Sequence, residues 1–394
     1  MSTEFSVDIP AELEDGEQFS LIGLQNVPVQ CNILHPTVKS ALACARGDID
    51  LVFSPSNGLI YNLEFCADQM AYDVEYENAL HHSPRFQQFA QDLAERLVAR
   101  HNLRNKRVLE IGCGDGFFLQ KICEVGNNEG LGFDPTCSPD LEHVTNDERV
   151  TIEQDYFEPG VTTFRPQLVC CRHVLEHIPD PVSFLTELRK MDQLSGAAFY
   201  FEVPDARFTL QRGGYWDILY EHCSYFTDVS LSAVFAAAGF RVLQTSSSYD
   251  GQFLQIEACI DPSPITGGAD PAAVTALALN VRSFSHKFKA TLDHWRCQLQ
   301  TWTDEGKSIA LWGAGTKGVM FLNMVDQGRA VSFVVDRNPK KNGCFVSGTG
   351  HPIVSPEALT TDCPEIVILM NPTYRDEVSA QLSELGVECE FMTV

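Results

Sequence analysis

The residues with the clearest chemical pattern lie in Lys106–Leu119, KRVLEIGCGDGFFL, where Glu110, Gly112, Gly114 and Gly116 occupy every second position. Glycines in such a turn let a ligand approach the backbone more closely than a Cβ would allow. Asp134 follows eighteen residues after Gly116, where an acid can accept hydrogen bonds from both hydroxyls of a ribose. Glu153-Gln154-Asp155 follows, with Asp155 at the end of an expected third strand. A second loop, Gly313-Ala314-Gly315-Thr316-Lys317-Gly318, is a true G-x-G-x-x-G, again with an acid, Asp336, eighteen residues on. Three readings of it stay open: a substrate diphosphate or other anion on a helix N-terminus, a structural turn, or a nicotinamide dinucleotide. Its segment, with fewer than ninety residues, is about half a full dinucleotide fold. Histidine suits a general base near neutral pH, and His222 stands beside Glu221 in an aromatic-rich stretch.

Parallel strands are needed to position these groups. Arg107–Ile111 is a short apolar run that reads as a buried strand, and Phe117 opens a helical pattern to about Val125. Gly130–Asp134, a strand ending near Asp155, Gln167–Cys171 and Ala197–Val203 supply four more. The fourth runs into Arg172-His173-Val174-Leu175-Glu176-His177, at the same sheet edge as the glycine turn. Arg172 and His173 are expected to shape the ligand pocket or touch a second substrate, and Glu176 and His177 to serve a helix start. Pro84–Arg100 carries apolar residues at helical spacing, and Phe240–Ser246 with Phe253–Ile260 suits an antiparallel edge. Pro271–Thr303 reads as one long helix or a helix pair. Beyond it, Ser308–Leu311, Val331–Val335 and Glu365–Met370 read as strands, the last ending at Asn371. The fold class is α/β.

The chain has 394 residues, 28 basic against 53 acidic, for a net charge of −25. That balance argues against nucleic acid and anionic membrane as partners. No apolar run has the length of a membrane span, and the acidic first eighteen residues do not read as a targeting signal. The 14 cysteines include no C-x-x-C pair, which points to buried thiols in a reducing cytoplasm.

The E-x-G-x-G-x-G turn, Asp134, Asp155 and the VLEH stretch together resemble the class I S-adenosylmethionine (SAM) methyltransferases. More specifically, Tyr220-Glu221-His222-Cys223-Ser224-Tyr225-Phe226 and the LWGAGTKG…VVDRNPKKNG…HPIVSPEAL block resemble the sugar C-methyltransferases of antibiotic biosynthesis. The resemblance covers about residues 26–394. It implies a SAM-methyltransferase sheet, a small N-terminal subdomain and a second, C-terminal Rossmann-like unit. The expected boundaries are 1–75, 76–262, 263–305 (linker and long helix) and 306–394. It implies SAM as cofactor, held by Glu110, Gly112, Gly114, Gly116, Asp134, Asp155 and Arg172, with Tyr76 closing over it. It implies His222 as base with Glu221 orienting it; Tyr220, beside them in the sequence, is a third catalytic candidate. His173, Tyr225, Gly313, Gly315, Lys317, Asp336 and Asn371 would then meet a small acceptor, most simply a nucleotide-linked keto deoxysugar methylated at carbon through an enolate. O- or N-methylation of another natural product, and SAM binding without catalysis, stay open.

The chain departs from the family twice. Cys31, Cys44 and Cys66 cannot form paired zinc knuckles, so no metal is expected. The family's tyrosine two residues before the Glu is replaced by Leu219, with Tyr220 one place later.

Overall fold

The computed structural model describes residues 5–6, 18–70, 75–137, 148–158, 160–261, 269–326 and 329–394. Most of the expected loose N-terminus (1–20), residues 72–74 and most of the expected linker (262–270) lie outside the described residues.

Four strands open the chain: β1 (Phe5–Ser6), β2 (Phe19–Pro28), β3 (Arg46–Phe53) and β4 (Ile60–Asn62). The central strands are β5 (Arg107–Ile111), β6 (Glu129–Phe133), β7 (Val150–Glu153), β8 (Leu168–Arg172) and β9 (Ala198–Pro204). Then come the short β10 (Ser224–Tyr225), β11 (Phe240–Ser248) and β12 (Phe253–Ile260). Last are β13 (Ile309–Trp312), β14 (Val331–Val335), β15 (Ile353–Val354), β16 (Ile366–Leu369) and β17 (Glu390–Thr393).

The central sheet has seven strands in the order β11-β12-β9-β8-β5-β6-β7. β5 through β9 pair in parallel, and β11 and β12 close one side antiparallel. The order reverses between β5 and β8, so the carboxyl ends of these two strands flank a crevice. The helix Pro84–Arg100 packs Ala90, Leu93, Ala94, Leu97 and Val98 against Phe118, Leu119 and Ile122 of the helix Phe117–Gly126. Ser83 caps the first of these helices by accepting from the Phe86 N–H, and Pro84 occupies its first turn.

The C-terminal sheet is wholly parallel in the order β15-β14-β13-β16-β17. The N-terminal sheet runs β1-β2-β3-β4-β10 and borrows its last strand from the stretch beside His222. Pro271–Asp304 is one unbroken helix. Its buried Val281, Phe284, Phe288 and Leu292 share a core with Leu21 and Ile22 of β2 and with Phe321 of the helix Thr316–Met324. One apolar cluster thereby joins the N-terminal sheet, the long helix and the C-terminal sheet.

Candidate active site

Two cavities adjoin at the carboxyl edge of the central sheet. The first, about 490 Å³, is lined by Glu110, Gly112, Gly114, Asp134, Asp155, Arg172 and Tyr76. That volume falls within the range of small-molecule sites. The second, about 280 Å³, lies between the central and C-terminal sheets and is lined by His222, Glu176, Asp217, Gly313, Gly315, Lys317, Asp336, Lys341 and Asn371. Tyr76, Leu80, His173 and His177 border both.

In the first cavity the turn is held by its own hydrogen bonds. The N–H groups of Gly112 and Cys113 donate to the Phe133 carbonyl, that of Gly114 to Asp134 Oδ2 at 2.7 Å, and that of Gly116 to the Cys113 carbonyl. The turn therefore has few N–H donors left for a phosphate, contrary to what a glycine turn at a sheet edge suggests. It serves instead as a place of close approach. Gly112 and Gly114 sit at φ +71° and +56°. A Cβ on Gly112 would overlap Val174 Cγ2, whereas one on Gly114 would meet no protein atom within 4 Å.

Beneath the turn, Glu110 is 2% exposed and its Oε2 has no hydrogen-bond partner. Burial pushes its carboxyl up to about 8. An orphaned buried acid beside an open glycine is a fit for a ligand carrying a cationic group, as the amino acid end of SAM does. Asp134 Oδ1 also accepts from the N–H and hydroxyl of Thr136, at 2.8 and 2.6 Å. A carboxylate oxygen has more than one acceptor site, so this leaves room for a ribose hydroxyl. Gly116 does not line the cavity; it opens the helix Phe117–Gly126 at φ +79°.

Arg172 faces this cavity as wall. Its guanidinium donates to Glu202 Oε1 at 3.0 and 3.1 Å and lies 4.2 Å over the Phe118 ring. Glu202, fully buried, also accepts from the Tyr200 hydroxyl and Gln255. Burial opposes its charge, but Arg172 and His173 outweigh that and hold the carboxyl down to about 2. His173 has a positive φ of 56°, an uncommon backbone for a residue with a Cβ. Its Nδ1 lies 3.7 Å from Glu176 Oε1 and its Nε2 3.4 Å from Glu202 Oε1, ion contacts rather than well-formed hydrogen bonds. Burial alone would neutralise it, yet Glu176 and Glu202 hold the imidazolium up to about 9.

In the second cavity His222 is 9% exposed. Burial, then the neighbouring His177, His173 and Lys317, push it well below the ordinary histidine range. Its ring lies edge-on to His177, centroids 4.9 Å apart. The resemblance implies that Glu221 orients His222, but Glu221 turns the other way. Its Oε1 accepts from the Cys31 N–H at 3.1 Å and its Oε2 from the Tyr76 hydroxyl at 2.7 Å. It therefore ties the loop that carries His222 to the N-terminal subdomain and to the segment bordering both cavities.

Neither Tyr220 nor Tyr225 lines either of these two cavities. The Tyr220 hydroxyl accepts from the Cys66 N–H, and its ring packs on Phe65. The Tyr225 hydroxyl accepts from the Leu219 N–H and donates to the Leu219 carbonyl, bracing the loop that carries His222. Pairing of β10 with β4 places Tyr225 in the N-terminal sheet, opposite Ile60.

Sequence reasoning assigned Glu176 and His177 to a helix start. They lie instead in a single tight turn, Leu175–His177, and the helix Pro181–Lys190 is capped by Asp180. Their place after β8, at the point of strand reversal, was the available signal. Asp217, also missed, pairs with Lys317 at 2.8 Å.

The second glycine loop differs from the first. Gly315 precedes Thr316–Met324, whose first-turn N–H groups have no intrahelical acceptor. Lys317 stands beside them. Asp336 is engaged by the N–H groups of Ala314 and Asn338. Asn371 pairs amide to amide with Gln252.

The sheet order, the acids at the carboxyl ends of β5 and β6 (Glu110 and Asp134) and the open glycine turn have the form of the class I methyltransferase fold. Consistent with this, residues 81–245 match the family described as "Methyltransferase domain", and residues 273–392 match the "C-methyltransferase C-terminal domain". The C-methyltransferase NovU of Streptomyces niveus is 27% identical over 290 residues, 69% of this chain and 67% of that protein. A tRNA U34 carboxymethyltransferase of Nautilia profundicola is 30% identical over 22% of this chain and 31% of its own. The ubiquinone biosynthesis O-methyltransferase of Actinobacillus pleuropneumoniae is 26% identical over 25% of this chain and 47% of its own. These last two matches thus span less than half of the relatives concerned. Among solved structures, the magnesium protoporphyrin IX methyltransferase of Synechocystis PCC 6803 with bound SAH covers 45% of this chain and 84% of that chain, at 18% identity and a TM-score of 0.35. The protein is a SAM-dependent methyltransferase. Among the described residues, no helix is long and apolar enough to cross a membrane.

Proposed function

We propose that the protein methylates a carbon next to a carbonyl in a small acceptor, with His222 as the base. The observation that carries this reading is the position of His222. It is buried in the second cavity, beyond the residues bordering the first, and its environment favours the neutral imidazole a base requires. SAM supplies the electrophilic methyl group; Glu110, Gly112, Gly114, Asp134 and Asp155 would hold it, with Tyr76 over it. His222 takes the proton from the acceptor carbon, and the electron pair left behind is delocalised onto the carbonyl oxygen. His173, an imidazolium at the border of both cavities, lends positive charge there. Glu221 positions the loop and the Tyr76 segment.

The acceptor we propose is a nucleotide-linked keto deoxysugar, its diphosphate on the helix N-terminus at Gly315–Lys317. The first-turn N–H groups and the Lys317 ammonium support this, since both suit an anion. The match to NovU, whose name is C-methyltransferase, supports transfer to carbon. In this reading 1–75 braces the active site, 76–262 holds SAM, 263–305 links and 306–394 holds the acceptor. Exposed thiols at Cys66, Cys297 and Cys363 suit a reducing cytoplasm.

The test uses a nucleoside-diphosphate-linked 4-keto-6-deoxyhexose in deuterated water without SAM. Deuterium should enter the carbon next to the ketone with wild-type protein and not with His222→Ala. Equal exchange in both would remove His222 from the chemistry.

A further inference from the structure

We propose that Glu176, His177 and His222 form a binding site for a divalent transition-metal cation of the zinc type, and that filling it inhibits the enzyme. The three residues offer ligand atoms that all lie within 4.8 Å of one another. Two ligands on one tetrahedral ion at ~2.1 Å each lie about 3.4 Å apart. Closing the remaining gap takes under about 1 Å per side chain, within the reach of small χ adjustments. All three line the second cavity, so space remains for a water or an acceptor oxygen in an open coordination position.

A separate observation points to a ligand here. Glu176 is 2% exposed, and its Oε2 has no hydrogen-bond partner. A buried carboxylate oxygen without a donor is costly, and a cation would satisfy it. The supporting shell is also in place. The Glu221 carbonyl can only accept, so His177 Nδ1, 2.9 Å away, must donate to it. That fixes the tautomer with the lone pair on Nε2, the usual arrangement of a metal-bound histidine. His173 stands behind the other Glu176 oxygen at 3.7 Å.

Two imidazoles and one carboxylate are a borderline donor set. They suit zinc, cobalt, nickel, manganese or iron(II), whereas calcium and magnesium prefer oxygen ligands. Binding would engage the His222 lone pair that proton abstraction needs, so occupation and base catalysis exclude each other. This inhibitory half rests on the proposed role of His222; the binding half does not. No local spacing relates the three ligands, because they come from two stretches far apart in the chain.

Cobalt(II) and zinc(II) titrations of the full-length, chelator-treated protein test the site. One equivalent of cobalt should bind with visible ligand-field bands and no thiolate charge-transfer band. Glu176→Gln and His177→Gln should each weaken binding by at least about 100-fold, beyond the 10–100-fold usual for loss of a supporting-shell partner. Their circular dichroism and melting should match wild type; if one variant is misfolded, the other decides. No stoichiometric binding, thiolate bands alone, or equal binding to the folded variants would overturn the site. With the same keto-sugar nucleotide in deuterated water, zinc should stop exchange and a chelator restore it. Exchange that persists or rises with zinc bound would overturn the inhibition. Absence of exchange in metal-free wild-type protein would count against the proposed chemistry, leaving the metal site to the spectra.

Discussion

Gly114→Ala separates ligand binding from folding. Gly114 sits at φ +56°, and a Cβ there meets no protein atom within 4 Å. The left-handed backbone should cost an alanine about 1–2 kcal/mol, a drop of a few degrees in Tm. The added methyl projects into the cavity proposed for SAM. Intrusion of that size into a packed contact costs about 1–3 kcal/mol, which is roughly 5- to 150-fold in Kd. Gly112→Ala should behave differently, because its Cβ overlaps Val174 Cγ2 as well as facing a φ of +71°. It should lower Tm clearly more than Gly114→Ala. Calorimetry with SAM and S-adenosylhomocysteine, beside thermal melts of both variants, reads the two effects. A folded Gly114→Ala protein that binds SAM with wild-type affinity would refute the assignment of this turn.

Other perturbations follow from the same geometry. Glu110 has its pKa raised by burial to about 8, so the folded ligand-free protein carries a proton there that the unfolded chain releases near 4.5. Its contribution to stability is therefore greatest at low pH and falls as pH rises from about 4.5 through 8. Pairing with the cation of SAM should release that proton, so calorimetry at pH 7 in buffers of different ionisation enthalpy should detect proton release in wild type and none in Glu110→Gln. His222→Ala should leave SAM affinity nearly unchanged and lower turnover by roughly 10²–10⁴, the usual contribution of a positioned base; unaltered turnover would place the base elsewhere. Glu202→Ala leaves Arg172 buried without its partner and should cost about 3–5 kcal/mol in denaturant unfolding; a loss under about 1 kcal/mol would contradict the account of that network.

Local signals carried much of the fold. Pro84–Arg100 was legible because its cap, first-turn proline and apolar spacing lie within one segment, and the helix occupies that span. The parallel strands were legible as short apolar runs ending in glycine or acid. What could not be read was the facing of residues fixed by distant pairing. Tyr220 reads as a catalytic candidate and Tyr225 as an acceptor contact beside His222, but Tyr220 packs on Phe65 with its hydroxyl on the Cys66 N–H, and Tyr225 lies in β10, which joins the N-terminal sheet, so neither lines the two cavities. Glu221 is adjacent to His222 in sequence, yet its acceptors are filled by Cys31 and Tyr76, each far along the chain. The pairing of Asp217 with Lys317 likewise joins stretches that no local pattern relates. The glycine turn lies where its spacing places it, between β5 and the helix Phe117–Gly126, but its N–H groups are spent within the turn and on β6 and Asp134.

Transfer to carbon is the central claim, and the fate of the methyl group tests it most directly. The protein would be incubated with SAM labelled with carbon-13 at the methyl and with the nucleoside-diphosphate-linked keto deoxyhexose, and the product examined by carbon–proton correlation. The account predicts a labelled methyl bonded to the carbon beside the ketone, with its signal in the aliphatic C–CH₃ region and the hydrogen lost from that carbon. A labelled methyl on oxygen or nitrogen would contradict it.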